Sequence, residues 1–139
     1  MKISGALILA LVVIVAGCAD TSINSSVEQA NKQMEAKGSP FRYVAQDSSS
    51  MVLTMLPLPA GPTKAIPALA QQVQDLIARE EQKKGRSTAL LEEVRHLQDG
   101  REVWVLQSLS GGVAYVVSFS DPSNAKSHIR LSGPTTYRK

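Results

Sequence analysis

The order of patterned segments in this 139-residue chain predicts an α+β fold: a single antiparallel sheet, built from a hairpin and then a meander of three or four strands, with one main helix packed on one face. Three observations carry that expectation. Apolar residues recur at three- and four-residue intervals through Ile66, Leu69, Ala70, Val73, Leu76 and Ile77. Two runs rich in β-branched and aromatic residues, 102–108 and 113–119, are joined by Leu109-Ser110-Gly111-Gly112. Upstream, two shorter apolar runs flank a turn-like Asp47-Ser48-Ser49-Ser50.

Taken in order, residues 18–38 are mostly small and polar and read as a tether, because they bury too little apolar surface to offset chain entropy. Ser25-x-x-Glu28 is nevertheless a capping-box pattern, followed by Ala30 and Met34 at helical spacing from Val27, with Gly38 as a stop. A short helix is therefore the alternative. The ordered domain is expected over 39–139. Phe41-Arg42-Tyr43-Val44 alternates as a strand does, Met51–Leu56 is apolar on both faces, and the two should pair as a hairpin. Pro57, Pro59, Gly61 and Pro62 then carry the chain to the helix, with Thr63 as candidate N-cap and Pro67 in the first turn. Lys83, Lys84 and Gly85 suit its C-terminal end, where cations complement the dipole and glycine takes the left-handed cap.

Residues 88–97 are ambiguous. Leu90, Leu91, Val94 and Leu97 fit helical spacing, yet Gln98-Asp99-Gly100-Arg101 is a hairpin turn of the type whose two central residues take positive φ. Strand is favoured from Glu93 to Gln98, and 88–92 stay open. The runs containing Trp104 and Tyr115 read as central strands. Asp121-Pro122-Ser123-Asn124 is a loop, Ile129–Leu131 a short edge strand ended by Gly133-Pro134, and the polar tail 135–139 is expected to be loose.

The first seventeen residues have another character: Lys2, an apolar run from Ile3 to Val15, then Ala16 and Gly17 ahead of Cys18. The run is too short to span a bilayer, which takes about 20 apolar residues, and fits the hydrophobic region of a signal peptide. Val15-Ala16-Gly17-Cys18 resembles the lipobox of bacterial lipoproteins. That resemblance implies removal of 1–17 and acylation of Cys18, with the chain bound to a membrane through its acyl anchor. Ala19, rather than aspartate, follows the cysteine, and within that class this implies export to the outer membrane, on the periplasmic side. With Cys18 acylated no thiol remains for a disulfide or a thiolate metal site, since it is the sole cysteine. Without residues 1–17 the chain holds fourteen basic and twelve acidic residues. So mild a balance implies no nucleic-acid partner.

Strand, strand, helix and meander, with a Trp-bearing hairpin entered through Asp-Gly, also resembles the Mog1/PsbP-like domains over roughly 39–120. The chain lacks the closing helix those domains carry. That resemblance implies a binding module rather than an enzyme.

Residues with chemistry are few. Ser123-Asn-Ala-Lys126 matches S-x-x-K, but it follows Asp-Pro in a loop and lacks the accompanying motifs; Ser110-Gly111-Gly112 reads as a turn. His96 and His128 have no partner at metal-ligand spacing, and His96 beside the turn reads as a surface imidazole, with an acid–base pair to Glu93 or Glu102 as the rarer alternative. Glu92 and Glu93 should point to opposite faces of a strand. Tyr115 and Phe119 read as core, and Trp104 either packs under the helix or forms an exposed face. No catalytic residue, metal ligand or cofactor is expected. The expected function is a non-enzymatic interaction module for an envelope protein, with the edges at Phe41, Tyr43, Ile129 and Leu131 as its candidate surface. A carrier or sensor of a small apolar ligand is the alternative, and an envelope hydrolase the third reading.

Overall fold

The computed structural model describes residues 22–86, 90–108 and 111–139. Val15, Ala16, Gly17 and Cys18 lie outside the described residues, as do Thr88, Ala89 and Ser110. Two compact units meet in sequence between Thr54 and Met55.

In the first unit the helical alternative is the one found. Helix α1 covers Ser22–Ala36, beginning three residues before Ser25. Ile23, Val27, Ala30 and Met34 form its half-buried stripe. Gly38, at φ 65°, ends it: Gly38 N–H donates to Glu35 and Ser39 N–H to Met34, which satisfies carbonyls the last turn leaves free. Strands β1 (Phe41–Ala45) and β2 (Met51–Met55) follow, joined by a turn in which the Asp47 carboxylate accepts the N–H groups of Ser49 and Ser50. The predicted hairpin forms, but as a two-stranded sheet of its own rather than as part of one sheet. Asn31 of α1 grips the main chain of Tyr43 from both sides of its amide, accepting the Tyr43 N–H at 2.6 Å and donating to its carbonyl at 2.9 Å.

In the second unit helix α2 runs Pro67–Lys83. Its N-cap is Ile66, not Thr63, with no side-chain bond to the cap; Pro67 opens the first turn, where its missing N–H costs nothing. Thr63 is instead used for tertiary contact, described below. Gly85, at φ 76°, closes the helix, with Gly85 N–H donating to Gln82 and Arg86 N–H to Glu81. Leu69, Val73, Ile77 and Glu81 form the buried stripe, one residue every four.

The sheet that receives this stripe is antiparallel, in the order β3 (Leu91–His96), β4 (Glu102–Leu106), β5 (Gly112–Phe119), β6 (Ile129–Tyr137). The cross-strand partners Val94, Trp104 and Tyr115 lie under α2 and join Val73, Ile77, Leu106, Val113 and Val117 in one apolar cluster. Val103, Val105 and Ala114, on the opposite parity, are also buried, so the central strands lose water from both faces. The α+β class and the helix on the sheet are therefore as expected, and Trp104 takes the packed alternative.

Three expectations change. The strand before the Asp-Gly turn starts at Leu91, and only Gly100 in that turn has positive φ, 93°. Gly100 N–H donates to Leu97 and Leu97 N–H to Arg101, a one-residue-longer connection in which glycine alone needs the left-handed region. Strand β6 spans nine residues and continues through Gly133-Pro134 to Tyr137, so the tail is structured. Pro134 is tolerated because β6 is an edge and its register shifts between the partners Ala114 and Val116, where an extra residue leaves the ladder unpaired. Beyond it the Tyr137 ring lies over Gly112, where a side chain would occupy the same space. Lys139, two residues beyond β6, reaches Glu92 of β3 at 2.8 Å, so the segment after β6 bridges to the other outer strand.

Candidate functional site

Two carboxylates, Glu81 and Glu102, are buried in the second unit; in the sequence Glu81 was passed over and Glu102 was named only as a possible partner of His96, not as a buried anchor. Glu102, 0% exposed, accepts three hydrogen bonds: from Thr63 Oγ1 at 2.7 Å, Lys64 N–H at 2.7 Å and Trp104 Nε1 at 2.9 Å. It thereby pins the segment leading into α2 to the second strand of the sheet. Glu81, 2% exposed, receives both Nε and Nη2 of Arg86, at 3.0 and 2.8 Å, and the Tyr115 hydroxyl at 2.7 Å. That joins the helix end, its capping turn and the third strand of the sheet.

Each carboxylate is saturated with donors that hold structure together, an arrangement suited to anchoring and not to proton transfer. Burial pushes the Glu81 carboxyl up, but the bonds from Arg86 and Tyr115 outweigh it and hold the group below the usual carboxylate range. Burial and the Glu81 carboxylate together raise the Tyr115 phenol well above its ordinary value. Because the folded carboxyl is the stronger acid, its stabilisation is complete above the unfolded value, about 4.3, and is lost as pH falls through the folded one. Glu81→Gln is expected to lower stability at neutral pH and to flatten the stability profile on the acid side. Thermal melts taken from pH 7 down to pH 3 check it: an acid slope as steep as in the parent would assign that slope to other carboxylates.

His96 is not a surface imidazole. Its side chain is 18% exposed, it stands opposite Glu102 in the ladder, and Nδ1 lies 3.9 Å from Glu102 Oε1, too far for a hydrogen bond. Nδ1 is buried without a partner. Glu93 pairs with Arg95 instead, at 2.9 Å. The structure thus brings together His96 and Glu102 but leaves no room for substrate: the ring packs against Gly61, and Glu102 is sealed.

Ser123 and Lys126 lie in a loop. Ser123 donates to Asp121 at 2.7 Å in a local turn, which with the Ser123 N–H holds the Asp121 carboxyl below its usual range. Glu92 and Glu93, expected on opposite faces, border one groove of 310 Å³ because the strand is irregular between Leu91 and Glu93. Both are neutralised, by Lys139 and Arg95. Among the described residues no group of three His, Cys, Asp or Glu could hold a metal, and no helix is long and apolar enough to cross a membrane. Between α2 and the sheet the cavity bounded by Ile77, Leu91, Trp104 and Leu106 measures 110 Å³, below the several hundred a ligand pocket takes.

What the second unit leaves open is a strand edge. The outer side of β3 is covered by the crossing segment: Gly61 N–H donates to Val94, His96 N–H donates to Pro59, and Ala60 bridges Arg95. The first unit closes part of its own edge, since Tyr43 is held by Asn31 and Phe41 is 4% exposed. Phe41 and Tyr43 therefore do not present an open strand. Ile129 and Leu131 lie on β6, half-buried against the apolar cluster, and among the described residues no strand pairs with the outer side of β6. Among the described residues the outer side of β2 also pairs with no further strand, but it is only five residues long.

No family model, curated protein or solved structure matches this chain.

Proposed function

We propose that this chain is a lipoprotein anchored through Cys18 in the outer membrane, facing the periplasm, and that it acts as a non-enzymatic module binding an envelope protein by strand addition along β6. One observation carries the reading: a nine-residue edge whose far side pairs with no strand among the described residues, in a unit whose other edge is covered. Long open edges recruit a further strand, because every second residue offers an N–H and a C=O to a partner. The binding-module character implied by the resemblance to Mog1/PsbP-like domains is consistent with it. Among the described residues the helix–sheet cavity measures 110 Å³, which favours the interaction module over the ligand-carrier alternative.

Site-specific photocrosslinking in whole cells tests the proposal. A crosslinker at the exposed β6 positions Ser132 or Thr136 is expected to trap an envelope protein, whereas one at Arg79 on α2 is not. Crosslinks confined to Arg79 and Lys84 would overturn the edge reading. Cys18→Ser is expected to abolish acyl labelling and release the protein from the membrane fraction; labelling that persists would remove the anchor.

A further inference from the structure

We infer that the strand received by β6 is an acidic extended segment of about nine residues, held at its two ends by Arg130 and Arg138. The inference rests on the strand-addition reading and adds the chemistry of the partner. After Asp121 the chain contains no acidic residue, while Lys126, Arg130, Arg138 and Lys139 are all basic. Lys139 is consumed by Glu92, but Arg130 and Arg138 are exposed and carry no ion pair among the described residues. They bracket the edge eight residues apart, roughly 26 Å in an extended chain.

Each arginine also borders a groove at its end of β6. One of 410 Å³ is lined by Phe119, His128, Ile129 and Arg130, and one of 310 Å³ by Glu93, Tyr137 and Arg138. The middle of the strand, residues 132–136, offers small or short polar side chains and Pro134, whose missing N–H leaves one gap in the ladder. Main-chain bonds therefore supply the registry, and selectivity sits at the ends: an acid against each arginine, and an apolar residue beside Phe119 and Ile129. A phosphate-bearing bilayer surface would share the charge preference, but it cannot answer the alternating N–H and C=O groups of the edge. The peptide is the better match.

The test uses the full-length protein in nonionic-detergent micelles and fluorescence anisotropy with labelled ten-residue Val/Thr peptides. One carries Glu near both ends, a second Gln, a third Lys, and a fourth is the Glu peptide N-methylated at alternate residues. The Glu peptide is expected to bind about tenfold tighter than the Gln peptide at low salt, with the Lys peptide weakest. Arg130→Glu with Arg138→Glu, both at exposed positions, should reverse that order without changing the melting temperature. Equal binding of the Glu and Gln peptides would overturn the acidic partner while leaving strand addition standing. Undiminished binding of the N-methylated peptide would remove strand addition itself. No binding of any peptide, or loss of the Glu–Gln difference once phosphatidylglycerol is added to the micelles, would overturn the inference.

Discussion

Val73→Asp is expected to unfold the second unit, with a loss of about 3–5 kcal/mol against the 5–15 kcal/mol that holds a typical domain together. Val73 is 0% exposed on the buried stripe of α2, in the same apolar cluster as Trp104 and Tyr115. A carboxylate there has neither water nor a cation from that cluster, so it must either stay charged at high cost or take up a proton. Trp104, the sole tryptophan, is 1% exposed in that cluster and reports the result directly. Its emission should shift to the red at denaturant concentrations far below the parent midpoint. Val73→Ala is the control, expected to cost about 2 kcal/mol from lost burial and a small cavity. If aspartate cost no more than alanine, α2 would not be packed on the sheet at this residue.

That stripe also separates what was legible in the sequence from what was not. Leu69, Val73 and Ile77 were readable because apolar periodicity is the signal a packed helix leaves. Glu81 continues the same four-residue spacing, but its polarity hid its burial, since its partners are Arg86, five residues on, and Tyr115, a strand away. The end of α2 was visible in Gly85, because a positive φ demands glycine, whereas its start was misplaced at Thr63: the cap is Ile66, and Thr63 is engaged by a carboxylate 39 residues distant. Likewise Pro134 reads locally as a strand breaker. Only a sheet edge with an irregular register permits it, and edges are a property of the assembled sheet. The same limit governs the candidate surface. Ile129 and Leu131 were placed on an edge correctly, but whether the strand at Tyr43 was open depended on Asn31, twelve residues away on α1.

Glu102→Ala is expected to cost about 2–4 kcal/mol, although the residue removed is a charged one in an otherwise apolar strand. The charge is not what matters most. Its two oxygens serve three donors, and deleting them leaves the Trp104 indole N–H and the Lys64 amide without partners where water has poor access. The Thr63 hydroxyl can rotate toward another acceptor, so its share of the loss is smaller. Glu102→Gln discriminates between charge and geometry. An amide keeps one acceptor but turns an NH₂ group toward either Lys64 N–H or the Thr63–Trp104 pair, donor facing donor, so it should recover only part of the loss. If the cost of burying the negative charge outweighed its hydrogen bonds, glutamine would be at least as stable as the parent. A double-mutant cycle with Thr63→Val completes the test, because the two residues share a bond of 2.7 Å and should couple by about 1 kcal/mol or more. Additive effects in urea denaturation would mean that Thr63 and Glu102 do not act as one anchor. The segment entering α2 would then be held chiefly by its main-chain bonds, Gly61 N–H to Val94, His96 N–H to Pro59 and Ile66 N–H to Pro122.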